Sequence, residues 1–333
     1  MTTSSMRYGV FLNVENPDAN AAEALQQMLR TATAAEASGF DELWLAEHHH
    51  SAFAIGSAPM VLLSHLAART SRVRLGTGAS LLALNDPIRV AEDVATLDVL
   101  SGGRIEFGVA RGGPFPLQYR HAGVPSAEVA RDRMHEALLL IRRLWREERV
   151  HFDGRFYRCA DLTIAPWPLQ RPVPVWLASL SDDSRRLAAA EGHGLMATPS
   201  SDVGAVAAVV QGERVRRADF PFAIARFFHC EPDHAQAVAR GLAAVREYPQ
   251  RMGVRFGKGG MPPMFEPDAS DAVILANAVI GDPAHCAQRV EGLRRALGPH
   301  RLLLKPALHD EERVREGLAL FMRRVVPVLG EAT

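Results

Sequence analysis

Cysteine is scarce in this chain of 333 residues, and the scarcity removes several kinds of protein at once. Cys159, Cys230 and Cys286 lie far apart and form no CxxC pair. That excludes a disulfide framework and a structural zinc site of the usual spacing. An excess of one charge sign is missing too: 38 basic residues face 38 acidic ones, and no long basic run occurs. Neither nucleic acid nor an anionic membrane surface is therefore expected as the main partner, although a neutral total is compatible with a local anion pocket. The longest apolar stretches, such as "AVILANAVI", fall well short of the roughly 20 residues that cross a membrane. "MTTSSMRYGVF" lacks a basic segment followed by an apolar core, so no secretory signal is read there and a cytoplasmic location is expected.

What is present is a hydrophobic content of 47%, enough for a sizeable core, arranged in a repeating beat. β-branched and aromatic runs ("RYGVFLNV", "DELWLAEH", "RVRLGTGAS", "RIEFGVARGG", "VPVWLAS", "HGLMATPS", "FPFAIARFFHC", "HRLLLKPAL") alternate with segments of helical spacing. In one of those helices Asp86 fits the N-cap and Pro87 the first helical position, while Gly102 or Gly103 suits the end. Asp153-Gly154 inside "RVHFDGRFYRC" signals a β-hairpin near 150–158. The Gly, Pro and Met of residues 251–270 read as a mobile loop or as disorder. Eight strand–helix units predict a single (β/α)8 barrel, a TIM barrel, over residues 1–333. The competing dinucleotide-binding fold needs GxGxxG between strand and helix, and "GTGASL" puts Leu81 where the third glycine belongs.

A barrel of this kind places chemistry at the C-terminal ends of its strands. His48, His49 and His50 fall at the end of the second. On an extended chain His48 shares a face with Trp44 and Ala46 while His49 points away, so the three cannot converge on one metal from a regular strand. No HExxH pattern adds ligands, and no metal is expected. From the residues alone, both a hydrogen-bonded surface histidine and an acid–base group remain open. Gly76 and Gly78 let something flat or bulky approach the third strand. Arg111, delivered into "RGGP", suits a phosphate or carboxylate. "ASLSDDS" opens a helix whose N–H groups and hydroxyls can cradle an anion, or simply cap it through Ser181 or Asp182.

Taken in order, "GFDELWLAEHH", "RVRLGTGASLLALNDPIRVAEDVATLDVLSGGRIEFGVARG", "PVPVWLASLSDDSRRLAAAEGHG" and "VIGDPAHCAQRVEGL" resemble the bacterial-luciferase-like flavin-dependent monooxygenases over nearly the whole chain. The resemblance implies a barrel that binds reduced FMN, which reacts with O2 to a flavin hydroperoxide and oxygenates a small organic substrate. It also implies a separate NAD(P)H-dependent flavin reductase and a homodimer. Carried across, His48 becomes the catalytic acid–base group beside the flavin ring. Gly78 and Ala79 match a ring-lining pair joined by a cis peptide. Arg111, Arg131, Ser179, Leu180, Ser181 and Ser184 match positions around the FMN phosphate. Leu180 stands where luciferases offer a hydroxyl, so Ser179 or Ser181 would serve instead. Asn13, His49 and His50 are expected in the substrate pocket, His50 in place of an aromatic residue. The competing expectations are an 8-hydroxy-5-deazaflavin hydride-transfer enzyme of the same superfamily and a non-catalytic flavin-binding subunit.

Overall fold

Parallel strands covered on both faces favour near-continuous apolar sequence, and the strands of this chain show it. The computed structural model describes residues 6–113, 115–254 and 260–330. Its strands are β1 (Arg7–Leu12), β2 (Glu42–Leu45), β3 (Arg74–Thr77), β4 (Ser80–Leu81), β5 (Ile105–Ala110), β6 (Val150–Asp153), β7 (Arg158–Leu162), β8 (Val175–Leu177), β9 (Gly194–Ala197), β10 (Phe222–Cys230), β11 (Val279–Gly281) and β12 (Arg301–Pro306). Parallel pairing runs β1–β2–β3–β5–β8–β9–β10–β12 and returns to β1, closing an eight-strand barrel. The short β4 pairs with the end of β5.

Two features stand outside that ring. Antiparallel β6 and β7 form the hairpin expected near 150–158. β11 adds to the end of β10, through Phe228↔Val279 and Cys230↔Gly281, although its sequence reads only as part of an apolar run. Helix boundaries follow the capping signals. Asp86 accepts from the amides of Ile88 and Arg89 to start the helix Pro87–Leu100, and Gly102 and Gly103 beyond it have positive φ. Ser181 caps the helix Asp182–Glu191 by accepting from Ser184 N.

Alternation along the strands sorts the interior into three levels. At the bottom are charges: Glu42 and Glu106 share Arg301, at 2.8 and 3.0 Å, and Glu106 also pairs with Arg74. Above them Trp44 and Trp176 meet edge to face, and each indole N–H donates to one of those carboxylates (to Glu42 at 2.9 Å, to Glu106 at 2.6 Å). Their neighbours in register are glycines, Gly76 beside Trp44 and Gly194 beside Trp176. A Cβ at either glycine would lie 2.3 Å from the indole. The side chains Phe11, Met196, Ala225 and Leu303 complete this plug. The third level, at the C-terminal strand ends, is the site. Outward residues such as Val10, Leu43, Phe107, Leu177 and Leu304 pack under the surrounding helices.

Candidate active site

The third level opens into a cavity of about 490 Å³, within the range of small-molecule sites. Its floor is made of small residues from neighbouring strand ends: Ala46, Gly78, Ala110 and Ala178. A Cβ on Gly78 would meet Phe11 at 2.7 Å, so the glycine keeps that floor flat, and the Gly78–Ala79 peptide is cis. Phe11, Phe115, Phe227, Tyr248, Met252 and Phe265 supply apolar walls. A flat ring system fits such a floor between such walls.

His48 lines the cavity, and its Nε2 lies 2.7 Å from Asn13 Oδ1. Burial pushes its pKa from 6.5 down to about 4, against the opposing pull of Glu15 and Glu47. It is therefore neutral at pH 7 and able to take a proton. Asn13 also donates from Nδ2 to Glu15 Oε1 (3.0 Å) and to the Tyr248 hydroxyl (3.2 Å). Burial, then the charge of Glu15, raises the Tyr248 phenol well above its ordinary value, so it stays protonated. Having accepted from Asn13, this hydroxyl keeps its own proton for a molecule in the cavity it lines.

Arg111, Arg131, Ser179, Ser181 and Ser184 also line the cavity. The three hydroxyls form a chain, Ser179 to Ser181 at 3.2 Å and Ser181 to Ser184 at 3.1 Å. The amide end of the helix Asp182–Glu191 lies beside them. Arg131 pairs with Asp183 at 3.2 Å. Arg111 donates to the carbonyl of Ala127 and makes no ion pair among the described residues, so its charge is the one left for a bound anion.

Of the residues singled out from the sequence, His48, Asn13, Gly78, Ala79, Arg111, Arg131, Ser179, Ser181 and Ser184 meet around this one cavity. Leu180 instead packs against the main core. His49 turns away to Glu47, at 2.8 Å. His50 is exposed, takes a left-handed backbone conformation (φ 57) and stacks near His121. Neither of these two histidines is among the lining residues. Residues 255–259 of the expected loop lie outside the described residues, while Val254, Pro262 and Phe265 from its flanks line the cavity. Sequence reading missed Glu47, whose buried carboxylate accepts from Leu81 N (3.0 Å) and Asn85 Nδ2 (2.8 Å) and so pins the turn after the cis peptide. It also missed Glu15, Tyr248 and Lys305. Lys305 carried a signal, being one of two lysines in the chain and the sole charge inside "LLLKPAL".

The closed parallel barrel thus carries, at its C-terminal end, an apolar cavity with a small-residue floor and a corner of arginine and serine side chains, a lining that a flavin or deazaflavin would fit. The profile of the luciferase-like monooxygenase family matches residues 6–301, and the chain belongs to that family. It is 31% identical over 199 residues to the oxygenase component of the flavin-dependent trigonelline monooxygenase of Acinetobacter baylyi, covering 58% of this chain and 54% of that protein. It is 34% identical over 171 residues to the F420-dependent glucose-6-phosphate dehydrogenase of Kineococcus radiotolerans, covering 50% of each. The chain thus spans about half the length of these curated relatives. The structure of monooxygenase RslO1 from Streptomyces bottropensis superposes with a TM-score of 0.84 at 26% identity, over 97% of this chain and 99% of that one. The family holds both FMN monooxygenases and F420-dependent dehydrogenases, and a flavin or deazaflavin cofactor is typical of it. No helix among the described residues is long and apolar enough to cross a membrane.

Proposed function

We propose that this chain acts as one barrel domain, paired as a homodimer, that binds reduced FMN and uses O2 to oxygenate a small organic substrate, with a separate NAD(P)H-dependent reductase supplying the flavin. The observation that carries FMN over the deazaflavin lies at the anion corner. Asp182 and Asp183 occupy the first turn of the helix that Ser181 caps, directly beside the serine hydroxyls. A single phosphate can end there, held by Arg111, the hydroxyls and the helix amides. Among the described residues that line the cavity Arg111 and Arg131 are the only arginines, and Arg131 is already paired with Asp183, a rim too narrow in positive charge for the longer anionic tail of a deazaflavin. The likeness to an oxygenase component supports the same choice.

When bound, reduced flavin supplies the electrons that activate oxygen. The protein's own groups do the rest. The floor of Ala46, Gly78, Ala110 and Ala178 receives the ring, and the aromatic walls keep water from it. His48 accepts or returns a proton, and Tyr248 offers a hydrogen bond to whatever lies against it.

Anaerobic titration with reduced FMN, oxidised FMN and reduced deazaflavin tests this reading. Reduced FMN is expected to bind tightest. With O2, NADH and a flavin reductase, candidate substrates should then be oxygenated. Tight deazaflavin binding with hydride transfer and no oxygen uptake would sink it.

A further inference from the structure

Asn13 is the centre of a buried polar junction, and its amide can be oriented by charge alone. Glu15 forms an ion pair with Lys305 Nζ at 2.8 Å and meets His309 Nδ1 at 3.2 Å. Burial would raise the Glu15 pKa, but those two partners outweigh it and hold it down to about 2. Glu15 is thus a carboxylate that only accepts. Turning the Asn13 amide over would place Oδ1 3.0 Å from Glu15 Oε1, acceptor against acceptor. Its Nδ2 must therefore face Glu15, and its Oδ1 must face His48. An acceptor 2.7 Å from His48 Nε2 requires a proton on that nitrogen. In a neutral imidazole the lone pair then belongs to Nδ1. Nδ1 makes no hydrogen bond among the described residues, and the ring lines the cavity.

We propose that Glu15, acting through Asn13, is a positioning residue that locks His48 as the Nε2–H tautomer and so makes Nδ1 the atom that receives protons in the cavity. The inference rests on reading His48 as the proton-handling group, but the tautomer can be observed without flavin. In the transfer itself an X–H bond of the bound molecule breaks, its electron pair stays on X, and an Nδ1–H bond forms. The Nε2–H···Oδ1 bond to Asn13 persists throughout, so no partner has to rearrange. The Glu15 charge beyond Asn13 favours the imidazolium, joined by Glu47 on the same strand end and opposed by His49 and by Lys305 of β12.

Long-range 1H–15N correlation spectra of the histidine-labelled full chain at neutral pH read the tautomer directly, with His48 identified by the signal lost in His48→Gln. The wild type should show a proton on Nε2 and a bare Nδ1. Glu15→Gln should keep that pattern, because Lys305 still anchors an oxygen where Asn13 needs an acceptor. Glu15→Leu and Asn13→Leu should lose the single-tautomer pattern and admit Nδ1–H. A wild-type Nδ1–H form overturns the inference, as does an unchanged Nε2–H state in a folded Glu15→Leu or Asn13→Leu variant. If both leucine variants fail to fold, the wild-type spectrum decides. A locked Nε2–H tautomer beside full turnover in His48→Gln would keep the lock and remove His48 from the proposed reaction, so the two failures are separable.

Discussion

His48 and Arg111 line one cavity from the ends of β2 and β5 and should fail in different ways. A positioned acid–base group contributes about 10²–10⁴-fold to rate. His48→Ala should therefore lower turnover by about that factor, with a far smaller effect on reduced FMN affinity, both read from kinetics at saturating flavin. Arg111 is expected to act on affinity instead. A hydrogen bond to a charged group is worth roughly 1.5–3 kcal/mol, or about 10- to 150-fold in binding. Arg111→Ala should weaken reduced FMN by about that much and reduced riboflavin hardly at all. Equal weakening of both in parallel titrations would mean that its bond to Ala127 merely holds the rim. Both residues were legible in the sequence because each ends a strand. Glu15 and Tyr248 were not. Their meaning comes from Asn13, which is 235 positions from Tyr248 in the chain and meets it only once the barrel closes.

Within the strands, two glycines that look alike in the sequence play different parts. The sequence allowed something flat or bulky against both Gly76 and Gly78. At Gly76 that something is the buried Trp44 of the plug, while at Gly78 it is the ring of Phe11, and Gly78 and Phe11 both line the cavity. Gly76→Ala must displace a fully buried indole or its backbone, and overpacking of this kind costs about 1–3 kcal/mol. Denaturant unfolding should show that loss, and Gly194→Ala, against Trp176, should show a similar one. Wild-type stability in both would mean that the indoles shift freely. The barrel strands and the Asp153-Gly154 hairpin were readable from period and turn chemistry. β11 was not, since an apolar run of three residues acquires a strand's identity only from the β10 edge it joins.

For the molecule as a whole, buried neutral histidines set the response to acid. Burial pushes His48, His193 and His300 from 6.5 down to about 4. For His193 the charge of Arg142 adds to burial, whereas for His300 the bond to the Gly298 carbonyl opposes it. Between pH 6.5 and 4 the unfolded chain takes up protons that the folded chain refuses, so stability falls as pH falls through that window. For the well-buried His193 and His300 the loss approaches roughly 3 kcal/mol each at the acid limit. Glu15 adds a later loss, because its ion pair is surrendered only between about 4.5 and 2. Thermal midpoints measured from pH 8 to pH 4 should decline below about 6.5. A flat profile down to pH 4.5 would show that these rings are solvated in the folded state.

The tryptophan plug also has a kinetic meaning. Trp44 and Trp176 are sealed beneath the cavity, with the Glu42–Arg301–Glu106 charges under them, so nothing passes along the barrel axis from below. A ligand of this cavity lies on the C-terminal side of the plug. A ring that reaches the alanine and glycine floor must arrive before any molecule that rests above it, and it must leave after that molecule has gone. On the proposed function, traffic is first in, last out: the flavin would load ahead of the substrate, and a lingering product would keep it in place.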